Sequence, residues 1–135
     1  MSRIPVTLRR LIVARADNRC EYCRLAQEGQ AATFHIDHIK PVAAGGKTEL
    51  NNLALACVGC SLYKGAQVTA VDPVTGEIVL LFNPRQDDWN RHFQWRDVKV
   101  VGRTPRGRAT VAALKMNRDS ILAIRREEKF WGRHP

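Results

Sequence analysis

Two C-x2-C pairs, Cys20/Cys23 and Cys57/Cys60, constrain this chain more than any other feature. Each pair sets two thiolates on one tight turn, where both can reach one ion, and four soft sulfur ligands suit tetrahedral Zn²⁺ with no open position. Such a closed site is structural, because nothing is left for water or substrate. Zinc ribbons usually place about 15–20 residues between the pairs, whereas here 33 residues, Arg24 to Ala56, lie between them. The excess implies that something was inserted into the loop the metal closes. The competing reading is a pair of unrelated C-x2-C motifs, one of them redox-active. Against it, the chain's four cysteines all fall in these pairs.

The insert carries polar residues of a different kind. Thr33 to Ile39 alternates and is rich enough in β-formers to read as a strand. In a regular strand Phe34, Ile36 and His38 share one face, and His35, Asp37 and Ile39 the other. Asp37 and His38 therefore meet at one site only if the strand ends or bends between them. Pro41 and Ala43-Ala44-Gly45-Gly46 make an ending plausible. Asp37 offers a hard oxygen ligand of the sort Mg²⁺ or Mn²⁺ takes. His38 titrates near neutrality and can accept a proton from water. Together these are the minimum kit for metal-assisted phosphodiester hydrolysis. The bare Asp-His dipeptide is also what a satisfied strand histidine looks like.

The flanks add to this. Cys20-Glu21-Tyr22-Cys23, His35-Ile36-Asp37-His38-Ile39, Gly45-Gly46, Asn51-Asn52-Leu53-Ala54-Leu55-Ala56-Cys57 and Cys60-Ser61-Leu62-Tyr63-Lys64-Gly65 occur in an order and spacing that resembles the HNH (ββα-metal) endonucleases. The resemblance covers roughly the first half of the chain. It implies an α+β fold whose ββα core, about residues 18–68, is held by a structural zinc on Cys20, Cys23, Cys57 and Cys60. It further implies DNA cleavage with His38 as general base, Asp37 as ligand of a catalytic Mg²⁺ or Mn²⁺, and Asn52 bracing the loop. The family's third signature position, which ligates the catalytic ion and is usually His or Asn, falls on Ser61, a poorer, neutral ligand. The alternative expectation is accordingly a weakened or inactive HNH-derived zinc module that binds DNA.

Around this core the chain reads as one domain over residues 1–135 with a basic helical extension over about 103–135. Lys and Arg number 22 against 13 acidic residues, a net charge of +9. Residues 1–19 carry +4, residues 20–102 carry −1 and residues 103–135 carry +6. Basic ends around a neutral centre fit arms on a phosphate backbone, against the competing reading of solvated helix faces. No run approaches the ~18 apolar residues of a membrane span and there is no leader-like segment, so a cytoplasmic location is expected.

Local patterns complete the expectations. A helix over about 7–16 packs Leu8, Leu11 and Ile12 inward and turns Arg9, Arg10 and Arg15 outward. Leu53 to Ala56 forms a second strand paired with the first, and Val58 to Ala66 the helix. On that helix Ser61 and Lys64 share a face, which puts Lys64 either near a phosphate or in solvent. His35, on the Asp37 side, is a further ligand, a partner of one, or packing. Ile78 to Phe82 reads as a short buried strand, and Val98 to Val101 as another. Trp89, Phe93 and Trp95 read as core aromatics, and His92 as structural. Thr104-Pro105 reads as an N-cap with proline at the first helical position. Asn117 reads as the break before, and the cap of, a last helix whose apolar side runs to about Phe130. Arg103, Arg106 and Arg108 gather at a helix start and are the candidate DNA-phosphate contacts outside the active site. Three other classes stay open: a DNA-binding relic, a zinc-stapled protein-interaction domain, and a C-x-x-C oxidoreductase.

Overall fold

A computed structural model describes residues 4–135; Arg3, counted in the N-terminal charge, lies outside them. Five helices and three two-stranded antiparallel sheets surround the cysteine pairs among the described residues. The order begins with α1 (Val6–Arg15), β1 (His35–His38), β2 (Leu53–Ala56) and α2 (Val58–Lys64). It continues with β3 (Thr69–Val71), β4 (Ile78–Leu80), α3 (Trp89–His92), β5 (Phe93–Arg96), β6 (Lys99–Gly102), α4 (Pro105–Ala113) and α5 (Asp119–Phe130). No helix among the described residues is long and apolar enough to cross a membrane.

α1 follows Pro5 and ends where Asp17 and Asn18 take left-handed conformations, φ 54° and 53°. Its inward stripe is Leu8, Ile12 and Ala16, at i, i+4 and i+8. That spacing turns Leu11 away, and it is 57% exposed rather than buried as expected. The arginines also depart from expectation. Arg9 donates to the Phe34 carbonyl (2.7 Å), and Arg15 donates to the carbonyls of Leu50 (2.8 Å) and Leu53 (2.6 Å). Instead of turning wholly to solvent, these two guanidinium groups buckle α1 onto the hairpin.

β1 and β2 pair in the register His35↔Ala56, Ile36↔Leu55, Asp37↔Ala54, His38↔Leu53. β2 spans the expected residues and is buried throughout. β1 is shorter than 33–39 because side chains satisfy the backbone of Phe34. The Gln27 Oε1 accepts its N–H at 2.7 Å, and Arg9 takes its carbonyl. The first cysteine turn is stitched to β2 as well: Glu21 N–H donates to the Leu55 carbonyl, and Leu55 N–H to Glu21 Oε2, both at 2.8 Å. Arg85 ion-pairs with the same buried carboxylate, and burial pushes that guanidinium down to about 10.

The β3–β4 hairpin turns through residues 72–77, as the Asp-Pro-Val-Thr-Gly sequence predicts. β4 is not the buried strand expected, since Ile78 is 74% exposed and Leu80 55%. A two-stranded ribbon covers only one face, and burial starts with Leu81 and Phe82 beyond it. Phe82 meets Phe93 and Tyr22 edge-on at 5.0 Å and 6.5 Å, while Trp89 donates its indole N–H to the Tyr22 carbonyl at 2.8 Å. The aromatics thus roof the first cysteine turn. One contiguous apolar core runs from Ile12 to Ile121.

α4 starts as predicted, with Thr104 accepting from Gly107 N–H (3.0 Å) and Pro105 at the first position. Asn117 separates α4 from α5 but does not cap α5. Its amide copies a strand backbone, accepting from Val100 N–H (2.9 Å) and donating to Val100 carbonyl (2.7 Å). The buried side of α5 holds Ile121, Leu122, Arg125 and Glu128. Phe130, expected to close it, is 78% exposed.

Candidate active site and metal centre

The four cysteine sulfurs lie within 4.8 Å of one another, all buried, with no disulfide. Cys23 Sγ and Cys57 Sγ are 3.7 Å apart. A tetrahedral Zn²⁺ with bonds of about 2.3 Å sets its sulfurs about 3.8 Å apart. Within each pair the second cysteine's N–H donates to the first sulfur, at 3.4 Å in both turns. That bond fixes the bite of the pair. Burial pushes the Cys20 thiol well up. Cys60 is raised by its hydrogen bonds to the other sulfurs and by burial, whereas sulfur hydrogen bonds hold Cys23 well down. Four packed thiolates repel one another, and a dication at their centre removes the conflict. The donor set fits zinc.

The strand, loop and helix inside this clamp frame an open groove of about 630 Å³, lined by Arg9, His35, Asp37, His38 and Ser61 among others. Contrary to the expected break, β1 continues through both Asp37 and His38. The two side chains take different partners, although both residues line the groove. Asp37 is buried, accepting from Tyr22 Oη–H at 2.7 Å and from the Lys64 ammonium at 3.1 Å. Burial pushes the Asp37 carboxyl up, with Lys64 and the Tyr22 hydrogen bond opposing it. His38 Nε2 lies 2.9 Å from Thr48 Oγ1, on the loop between the strands.

Lys64 is not the solvent-exposed lysine the sequence allows. It is 1% exposed, and its ammonium bonds both Asp37 and the His38 carbonyl (3.1 Å). The reason is electrostatic: a carboxylate this buried needs a cation nearby. His35 Nδ1 and Ser61 Oγ are 2.9 Å apart, which brings together two of the residues considered as ligands of the catalytic ion. A carboxylate, an imidazole and a hydroxyl suit a hard or borderline cation, with the Lys64 charge competing for Asp37. Among the described residues, no second group of three His, Cys, Asp or Glu side chains converges as the cysteines do.

Asn52 binds the loop as expected. Its Oδ1 accepts from Lys40 N–H (2.8 Å), and its Nδ2 donates to the carbonyls of Lys40 (3.0 Å) and Lys47 (2.9 Å). Gly46 fits beneath it: a Cβ there would lie 1.8 Å from the Lys40 carbonyl oxygen.

This arrangement is a two-stranded hairpin and a helix, closed at both ends by a C-x2-C turn, with a histidine and an aspartate on the first strand. Residues 20–67 match the HNH endonuclease family. No curated protein and no solved structure is significantly similar to the chain. The matched segment holds the four cysteines and most of the groove lining, while Ile4 and Arg9 of that lining and the helices α3 to α5 lie outside it.

The three arginines proposed to meet DNA are distributed differently. Arg106 donates to both oxygens of Asp87 at 2.9 Å, and Arg108 bonds Asp72 in a two-point pair at 2.9 and 2.8 Å. Arg103 is exposed and donates to the Asn90 carbonyl, with no carboxylate in ion-pair reach among the described residues. Sequence reading missed two partners of the groove residues, Thr48 beside His38 and Tyr22 beside Asp37. Thr48 gave no distinguishing signal. Tyr22 was visible inside the first C-x2-C, yet only the folded turn aims its hydroxyl at Asp37.

Proposed function

We propose that this protein is a metal-dependent HNH endonuclease that hydrolyses DNA phosphodiester bonds. The observation that carries the proposal is the shared groove, in which His35, Asp37, His38 and Ser61 line one open surface within the family-matched segment. In this reading Asp37, with Ser61 and His35, would hold a Mg²⁺ or Mn²⁺ ion, which when bound supplies positive charge against the scissile phosphate. His38, oriented by Thr48, takes the proton from the attacking water. Lys64 acts as a positioning residue, fixing the Asp37 carboxylate and the His38 carbonyl together. Arg9, on the wall of the groove, faces the phosphate, and exposed Arg103 extends the contact to the backbone. Asn52 keeps the loop closed so that Thr48 stays beside His38. The chain acts as one domain, since a single apolar core joins the HNH segment to the C-terminal helices.

One observation favours a second reading. The Lys64 ammonium already neutralises Asp37, and Ser61 is a neutral donor, which together describe a module that binds DNA and cuts weakly or not at all. Supercoiled plasmid incubated with the full chain and a panel of Mg²⁺, Mn²⁺ and Ni²⁺ separates the two. The nuclease reading expects relaxed or linear product, its loss in His38→Ala, and a retained gel shift in that variant. A shift with no product under any metal removes the nuclease reading. Undiminished cleavage by His38→Ala removes His38 as the base.

A further inference from the structure

We propose that Arg125, together with Arg24, is the charge partner of the filled four-cysteine site, so that α5 forms the electrostatic half of the metal clamp. The inference rests on the zinc assignment and not on cleavage. Arg125 is 1% exposed, yet no carboxylate lies within ion-pair reach of it among the described residues. One nitrogen, Nη1, donates to the Val98 carbonyl (2.9 Å) and to Asn117 Oδ1 (3.2 Å). Nε and Nη2 are buried without a hydrogen-bond partner. The guanidinium lies over the Trp95 ring at 5.4 Å. A buried cation is expected to be paired or to answer a nearby negative charge.

The negative charge is next to it. Arg125, Arg24 and Cys23 line one small cavity of about 10 Å³. Glu128 lines it too, but both its oxygens are taken by Arg133, at 2.8 and 3.0 Å. Arg24 directly follows Cys23, is half-buried over Trp89 at 5.2 Å, and likewise has no carboxylate in ion-pair reach among the described residues. Four thiolates around one Zn²⁺ leave two negative charges, and these two arginines supply two positive ones. A third guanidinium reaches the other cysteine turn: a Cβ on Gly59 would lie 2.0 Å from Arg118 Nη2. The basic C-terminal extension therefore spends part of its charge on the metal site rather than on DNA.

The test measures zinc affinity of the full chain by competition with a chromophoric chelator at fixed pH and ionic strength, beside a thermal melt. Arg125→Met and Arg24→Met are expected to weaken zinc binding about tenfold or more, the range seen when groups supporting a metal ligand are removed. Arg125→Lys, which keeps the charge, is expected to stay within about threefold of wild type. Asn117→Ala removes an acceptor of Arg125 and the Val100 pairing but no charge; it should melt earlier with near wild-type zinc affinity. Wild-type affinity in Arg125→Met, or an equal loss in Asn117→Ala, would overturn the proposal. If Arg125→Met does not fold, Arg24→Met and Arg125→Lys decide by the same criteria. A wild-type chain that takes up no zinc would instead remove the metal assignment itself, whatever its activity on plasmid.

Discussion

Replacing Lys64 with methionine separates the internal ion pair from any contact with substrate. The side chains of Lys64 and Asp37 are only 2% and 8% exposed, so water cannot take over when the ammonium is removed. Breaking a buried pair from one side typically costs about 3–5 kcal/mol, because the remaining charge is stranded. Unfolding entropy of about 2.1 cal/mol/K per residue over 135 residues gives about 0.28 kcal/mol/K. The zinc-loaded variant should therefore melt about 11–18 °C below wild type. Adding Asp37→Asn should return much of this, since asparagine is uncharged and can still accept from Tyr22. The pH dependence has a definite sign. Burial raises the folded Asp37 carboxyl above its unfolded value, so stability is lost as pH climbs from the unfolded value, about 3.9, through the folded one. Removing Lys64 widens that window upward, and the deficit should be larger at about pH 8 than at about pH 5. Calorimetry with constant excess zinc reads both quantities. A Lys64→Met protein melting within about 3 °C of wild type, or a double variant less stable than the single one, would refute the reasoning.

Two other substitutions probe separate parts of the fold. Asp72 is held well below the usual carboxylate range by its hydrogen bonds to Arg108, so its stabilising effect is present above about pH 4 and lost as pH falls through the folded value. Asp72→Asn should be less stable than wild type at pH 7 in urea, and the two curves should converge under acid; a constant gap at every pH contradicts this. Gly46→Ala drives a methyl group into the Lys40 carbonyl and should cost about 1–3 kcal/mol, read as a lower melting temperature. An unchanged melt would mean that the loop between the strands gives way freely.

Much of the core was legible because its signals are local. The cysteine spacing, the β2 run and the Thr104-Pro105 start each depend on residues close in sequence, and each stands where the sequence puts it. The misplacements share a cause of another kind. Leu11, Ile78 and Phe130 are apolar residues whose burial depends on which neighbour arrives, and all three stay largely exposed. Arg9, Arg15, Arg106 and Arg108 were read as surface cations, whereas tertiary structure brings each a carbonyl or a carboxylate. Lys64 is the sharpest instance: its place on the Ser61 face of α2 follows from helical spacing, but its burial follows from Asp37 on another element. Periodicity specifies direction along one element and says nothing about what stands opposite.

The clasp formed by Asn52 has a consequence for how such a loop can diverge. By tying Lys40 to Lys47, it turns residues 41–46 into a closed ring anchored at its base. The exposed apex at Val42 to Gly45 is therefore mechanically insulated from the strand that presents His38. Substitutions confined to that tip therefore leave the setting of His38 in place.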